Sequence, residues 1–137
     1  MLKTKNQVRV ELNHLILLAT EKQQRAHFLT YLLGLPDALP ADGPLPGFFL
    51  CIEPSNAITL LIAQANEHPI GHYAFKVTEA DFKQVIQRLN EGNVDYWADP
   101  RMQRLREWYE ENGNRGVYVI DPSGHGIEIL TGIDSTL

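Results

Sequence analysis

Apolar and polar positions along this chain fall into two similar cycles, each an apolar strand-like run that leads at once into a helix-like segment. The first cycle opens on Leu12-Asn13-His14-Leu15-Ile16-Leu17-Leu18, within a strand predicted over Val8–Leu18. A helix is predicted over Glu21–Leu33, with Ala26, Leu29, Leu32 and Leu33 on one stripe, Thr20 at its start and Gly34 at its stop. Pro36–Gly47 carries four prolines and two glycines, which excludes a helix or a central strand there. Phe48–Ile52 and Ala57–Ala63 read as strands joined by the turn Glu53-Pro54-Ser55-Asn56.

The second cycle repeats the plan. Gly71-His72-Tyr73-Ala74-Phe75-Lys76-Val77 is again apolar with a histidine near its start. It gives a strand over 72–77, a helix over 79–89, a short strand over 93–97, and strands over 116–120 and 125–131. Asp121-Pro122-Ser123-Gly124 between the last two is turn chemistry, with Pro fixing φ and Gly free to take positive φ. Asp99–Asn114 reads as an exposed helix with an apolar stripe of Met102, Leu105 and Trp108 or Tyr109, ended by Asn112-Gly113-Asn114. That segment serves either as a packed surface helix or as a lid or dimer contact. Internal repetition of this kind fixes architecture before any single residue does. Two units of strand, helix and meander give an α+β fold in which each sheet buries one face under its helix and offers the other to a site.

Within the last strand, period-2 alternation puts Gly126, Glu128 and Leu130 on one face, and His125, Ile127 and Ile129 on the other. A carboxylate between two isoleucines needs a partner, and a metal ion is one way to supply it. His125 is expected as a turn-end surface residue, and His27 and His68 as solvated ones. Cys51, in an apolar run with no base beside it, is expected as buried filler.

Composition narrows the classes. A chain of 137 residues suffices for one compact domain, with 44% hydrophobic and 21% charged residues as in ordinary soluble proteins. The net charge of −5 offers no basic face for nucleic acid. A single cysteine excludes an internal disulfide and suits a reducing compartment. No run approaches the ~18 apolar residues of a membrane span, and Met1–Glu11 lacks a signal-peptide apolar region. The expected location is the cytoplasm, away from membranes.

Four strings, in this order, resemble the vicinal oxygen chelate superfamily, which includes glyoxalase I, extradiol dioxygenases, and fosfomycin- and bleomycin-resistance proteins. They are Leu12-Asn13-His14-Leu15, Leu32-Leu33-Gly34-Leu35, His72-Tyr73-Ala74-Phe75 with Asp81-Phe82, and Tyr118 through Asp121-Pro122-Ser123-Gly124 to Glu128. The likeness spans roughly residues 10 to 131. It implies one domain of two paired βαβββ modules, about 8–65 and 70–131, forming a cupped mixed sheet around a metal site. By position it makes His14, His72 and Glu128 the ligands of one divalent metal ion (Fe, Mn, Zn or Ni). Tyr118 becomes a catalytic residue facing a small-molecule substrate, and a homodimer is expected. Two imidazoles and a carboxylate leave open coordination positions, as a catalytic metal requires.

The sequence also departs from individual subfamilies. Ala57-Ile58-Thr59-Leu60-Leu61-Ile62 lacks the carboxylate that glyoxalase I places there, and Trp108–Gly113 lacks the histidine of extradiol dioxygenases. Glu107-Trp108-Tyr109-Glu110-Glu111-Asn112 is acidic where fosfomycin-resistance proteins grip a phosphonate. The expected function is therefore a metal-dependent, dioxygenase- or lyase-like enzyme acting on a small oxygenated substrate. The alternative is a non-catalytic, bleomycin-resistance-like protein that binds an apolar drug-like molecule.

Overall fold

The computed structural model describes residues 10–40, 49–55 and 58–132. The order is β1 (His14–Ala19), α1 (Lys22–Leu33), β2 (Leu39–Pro40), β3 (Phe49–Ser55), β4 (Ile58–Gln64), β5 (His72–Val77), α2 (Glu79–Glu91), β6 (Tyr109–Glu111), β7 (Asn114–Ile120) and β8 (Gly126–Thr131). These strands make two four-stranded sheets of matching order, β1-β4-β3-β2 and β5-β8-β7-β6. In each, the first strand pairs parallel to the last while the other pairs are antiparallel. The architecture is α+β, and the expected βαβββ repeat is present twice.

Each sheet separates its residues by parity. Leu17 and Ala19 in β1, Ile52 in β3, and Leu60 and Ile62 in β4 are buried and join Ala26, Leu29 and Leu32 of α1 in one core. Val117, Val119, Ile127 and Ile129 do the same with Phe82, Val85 and Leu89 of α2, and the two sets are continuous. The modules thus share a core through their helical sides, and α1 touches α2. Buried ties reinforce the contact: Arg25 Nε of α1 lies 2.7 Å from Asp121 Oδ2, both side chains fully buried, and Arg25 also donates to the Leu18 carbonyl. Breaking such a pair from one side would leave an uncompensated buried charge, costing about 3–5 kcal/mol.

Local chemistry accounts for the end of α1 and the start of α2, whereas α1 begins after Glu21 with no side-chain cap rather than at Thr20. Gly34, at φ 68°, closes α1 in the left-handed conformation, and the next amide returns to the Thr30 carbonyl. Thr78 caps α2 by accepting from the Asp81 amide, with Glu79 and Asp81 in the first turn.

Several boundaries differ from the sequence reading. The first strand begins at His14; its expected residues 8 and 9, like the turn residue Asn56 and Ala57, lie outside the described residues. β3 runs on to Ser55 through a register shift after Ile52, and such an irregularity tolerates Pro54 inside a strand. Residues 93–97 form no strand: Asn93 turns the chain at φ 52°, and only Trp97 bridges, to Leu105 and Tyr118.

The largest correction concerns 99–114, which is not a helix. The Asp99 carboxylate accepts from the amides of Gln103 and Arg104, and Met102 and Arg106 take positive φ. β6 then pairs with β7 across the two-residue turn Asn112-Gly113, both at positive φ. Trp108 sits edge-on to Phe82 of α2, with the Arg115 guanidinium over both rings. It is a packing residue on the helical side of the sheet.

Candidate functional site

The second sheet keeps its core face under α2 and leaves the other open. Strand pairing sets Glu128 opposite Ala74 on one side and opposite Tyr118 on the other, and sets His72 opposite Gly126. Pleating then brings alternate residues of three strands to the open face: His72 of β5, Glu128 of β8, and Tyr118 of β7. Tyr109 joins them from β6, where its ring overlies Gly116, its cross-strand partner.

Four polar groups meet there. Glu128 Oε1 lies 3.1 Å from His72 Nε2, and the Tyr109 hydroxyl donates to Glu128 Oε2 at 2.7 Å. The Tyr118 ring stands between, 6.1 Å from the His72 ring and 5.9 Å from the Tyr109 ring. Glu128 is largely covered, its side chain 16% exposed, whereas His72 is 54% exposed. Burial, and secondarily the Glu128 carboxylate, push both phenols above the usual tyrosine range. At neutral pH they are O–H donors rather than phenolates.

His14 lies apart from this group. It opens β1, exposed, with Nδ1 bonded to Asn13 Oδ1 at 2.8 Å. Among the described residues no three His, Cys, Asp or Glu side chains converge as a metal site. Two donors of the expected set are therefore together in one chain, and the third stands on the other module. The reason is architectural: the modules meet through their helical sides, so their open faces belong to separate sheets.

The registers nevertheless relate the faces. His14 opens β1 opposite Thr59 of β4, as His72 opens β5 opposite Gly126 of β8. Two residues further, Leu61 holds the place of Glu128, and Cys51, paired to Leu61, holds that of Tyr118. Cys51 is thus half-buried on the open face rather than core filler, its thiol pushed up by burial and by Glu53. Ile16 and Leu18, on the same face as His14, are 52% and 41% exposed.

The remaining histidines divide. His27 is exposed, as expected. His125 is 2% exposed, overturning its expected place at a surface turn. Asp121 Oδ1 accepts from the amides of Ser123 and His125 and folds the turn back beneath the ring. The ring Nδ1 accepts from the Gly71 amide, so Nε2 carries the hydrogen and donates to the Leu18 carbonyl. His68, half-buried rather than solvated, stacks on it with centroids 4.3 Å apart.

Arginines near the loop are engaged away from the cluster. Arg104 pairs with Glu107 and Arg106 with Asp95. Arg115 pairs with Glu79, which raises the guanidinium's pKa and lowers the carboxyl's. A cavity of about 570 Å³ lies elsewhere, between the end of α1 and the start of α2, lined by Leu33, Leu35, Phe75 and Thr78. No helix among the described residues is long and apolar enough to cross a membrane.

No family model matches the sequence. Individual proteins do. The glutathione transferase FosA of Serratia marcescens is 30% identical over 130 residues, covering 88% of this chain and 80% of that protein. The solved structure of the oxidase ChaP-H2 is 39% identical, with a TM-score of 0.82 over 91% of this chain and 95% of its own. A glyoxalase/dioxygenase from Nostoc punctiforme, at 19% identity, shares the fold with a TM-score of 0.71 over 98% of both chains. With the doubled βαβββ topology and these relatives, the chain belongs to the vicinal oxygen chelate superfamily.

Proposed function

We propose that the protein is a metal-dependent enzyme acting on a small oxygenated substrate, and that its site is completed between two copies of the chain. The observation that carries this reading is the approach of His72 Nε2 to Glu128 Oε1 on an open sheet face beside two protonated tyrosines. An imidazole and a carboxylate at that separation are two donors suited to Fe, Mn, Zn or Ni. A divalent ion bound there would supply Lewis acidity toward vicinal oxygens of the substrate.

The rest follows from the chain's own residues. His72 and Glu128 hold the ion, and His14 of a second copy is the third ligand. His14 lies on an outward face with exposed Ile16 and Leu18, so a partner sheet laid against it buries apolar surface as it closes the site. Tyr118, kept protonated, donates a hydrogen bond to a substrate oxygen. The likeness to an oxidase at 39% identity supports oxidative chemistry ahead of thiol transfer. So does the engagement of Arg104, Arg106 and Arg115 with acidic neighbours, which leaves them poorly placed for an anionic substrate.

The second reading, a non-catalytic binder of an apolar molecule, draws on the fact that only two of the three donors meet within one chain. Metal analysis separates the two. Protein purified without chelator or histidine tag is expected to hold about one divalent ion per chain and to be a dimer by light scattering. Glu128→Ala should lose the ion while remaining folded. Equal metal content in both proteins would refute the site. The loaded dimer should then be screened against catechols, hemithioacetals, epoxides with thiols, and 2-oxo acids.

A further inference from the structure

We propose that Tyr109 is a positioning residue that restricts Glu128 to a single ligating oxygen, so that a coordination position stays open for substrate. This rests on the metal reading of the site.

The two carboxylate oxygens of Glu128 have different surroundings. Oε1 faces His72 Nε2 at 3.1 Å, where a shared ion would be bound. Oε2 is occupied by the Tyr109 hydroxyl at 2.7 Å. Carboxylates ligate through one oxygen or through both, and the second oxygen takes a position that an oxygen of the substrate would otherwise use. A hydrogen bond to Oε2 in a largely covered site opposes that second contact.

The placement of Tyr109 is set by backbone rather than by chance packing. The Asn112-Gly113 turn holds β6 in register, with Tyr109 opposite Gly116. Gly116 has no side chain, and a Cβ there would overlap the Tyr109 ring and hydroxyl. The ring therefore lies flat across the neighbouring strand, and its hydroxyl ends at Glu128. Strand parity sends Trp108, the preceding residue, to the α2 side.

The experiment is to load wild type and Tyr109→Phe with Co(II) and to record three quantities: Co(II) affinity, the visible absorption spectrum, and the affinity of the bound ion for acetohydroxamate, a bidentate oxygen chelator. Phenylalanine keeps the ring on Gly116 and removes only the donor. Expected is Co(II) affinity equal to wild type or higher, a changed ligand-field spectrum, and acetohydroxamate binding weakened about tenfold. An unchanged spectrum with unchanged acetohydroxamate affinity overturns the proposal. So does a loss of Co(II) affinity with chelator binding intact, which marks Tyr109 as mere support for the ligand. If wild type takes up no Co(II), the metal reading itself fails and this proposal falls with it.

Discussion

Glu128 illustrates how a single position acquires meaning from its neighbours. In the sequence it is a carboxylate between isoleucines; in the structure it is the meeting point of β5, β6 and β7. Its partner His72 was legible, because both lie at recognisable places in a repeated pattern. Tyr109 was not, since a helical reading of 99–114 places it on a stripe with Met102 and Leu105. The dependence of Tyr109 on Gly116 gives a test at this scale. Gly116→Ala forces the ring aside, at an expected cost of about 1–3 kcal/mol from overpacking. Its Co(II) spectrum should shift in the direction of Tyr109→Phe although the hydroxyl is still present. A spectrum identical to wild type in a folded protein would show that the ring is not positioned by that glycine.

The loop before β6 shows where pattern reading goes astray. Met102, Leu105 and Trp108 recur at helical spacing, but the chain reverses by left-handed residues at Met102 and Arg106 while Asp99 gathers the loop amides. The informative signal was Asn112-Gly113, the commonest pair in a two-residue hairpin, here joining β6 to β7. Taking it as a helix stop discards the strand it announces. The β1, α1, β5, α2, β7 and β8 elements, by contrast, were legible because periodicity, caps and length agree there. Met102 offers a prediction: left-handed φ costs a non-glycine residue about 1–2 kcal/mol, and this side chain is half exposed. Met102→Gly should raise stability by about 1 kcal/mol in urea unfolding. Destabilisation of that size would mean that the methionine side chain contributes packing.

At the scale of the molecule, the two modules share a core through α1 and α2, and Arg25–Asp121 and His125 tie one to the other. None of those long-range ties was visible in sequence, because Arg25 lies 96 positions from Asp121 and no local pattern links them. The pairing leaves His14 on one outward sheet, and His72 with Glu128 on the other. If each site takes its third ligand from a second copy, defects in different modules lie in different sites. Consider His14→Ala mixed with Glu128→Ala, unfolded together and refolded. In a mixed pair, one site combines both lesions and the other contains neither. Random assortment makes half the pairs mixed, so about a quarter of wild-type metal content should return, from two parents that bind none. A site built within one chain would give no recovery at all. On that reading, outward-facing half-sites would make the protein capable of complementation between damaged copies, with a defect in one chain masked by its neighbour.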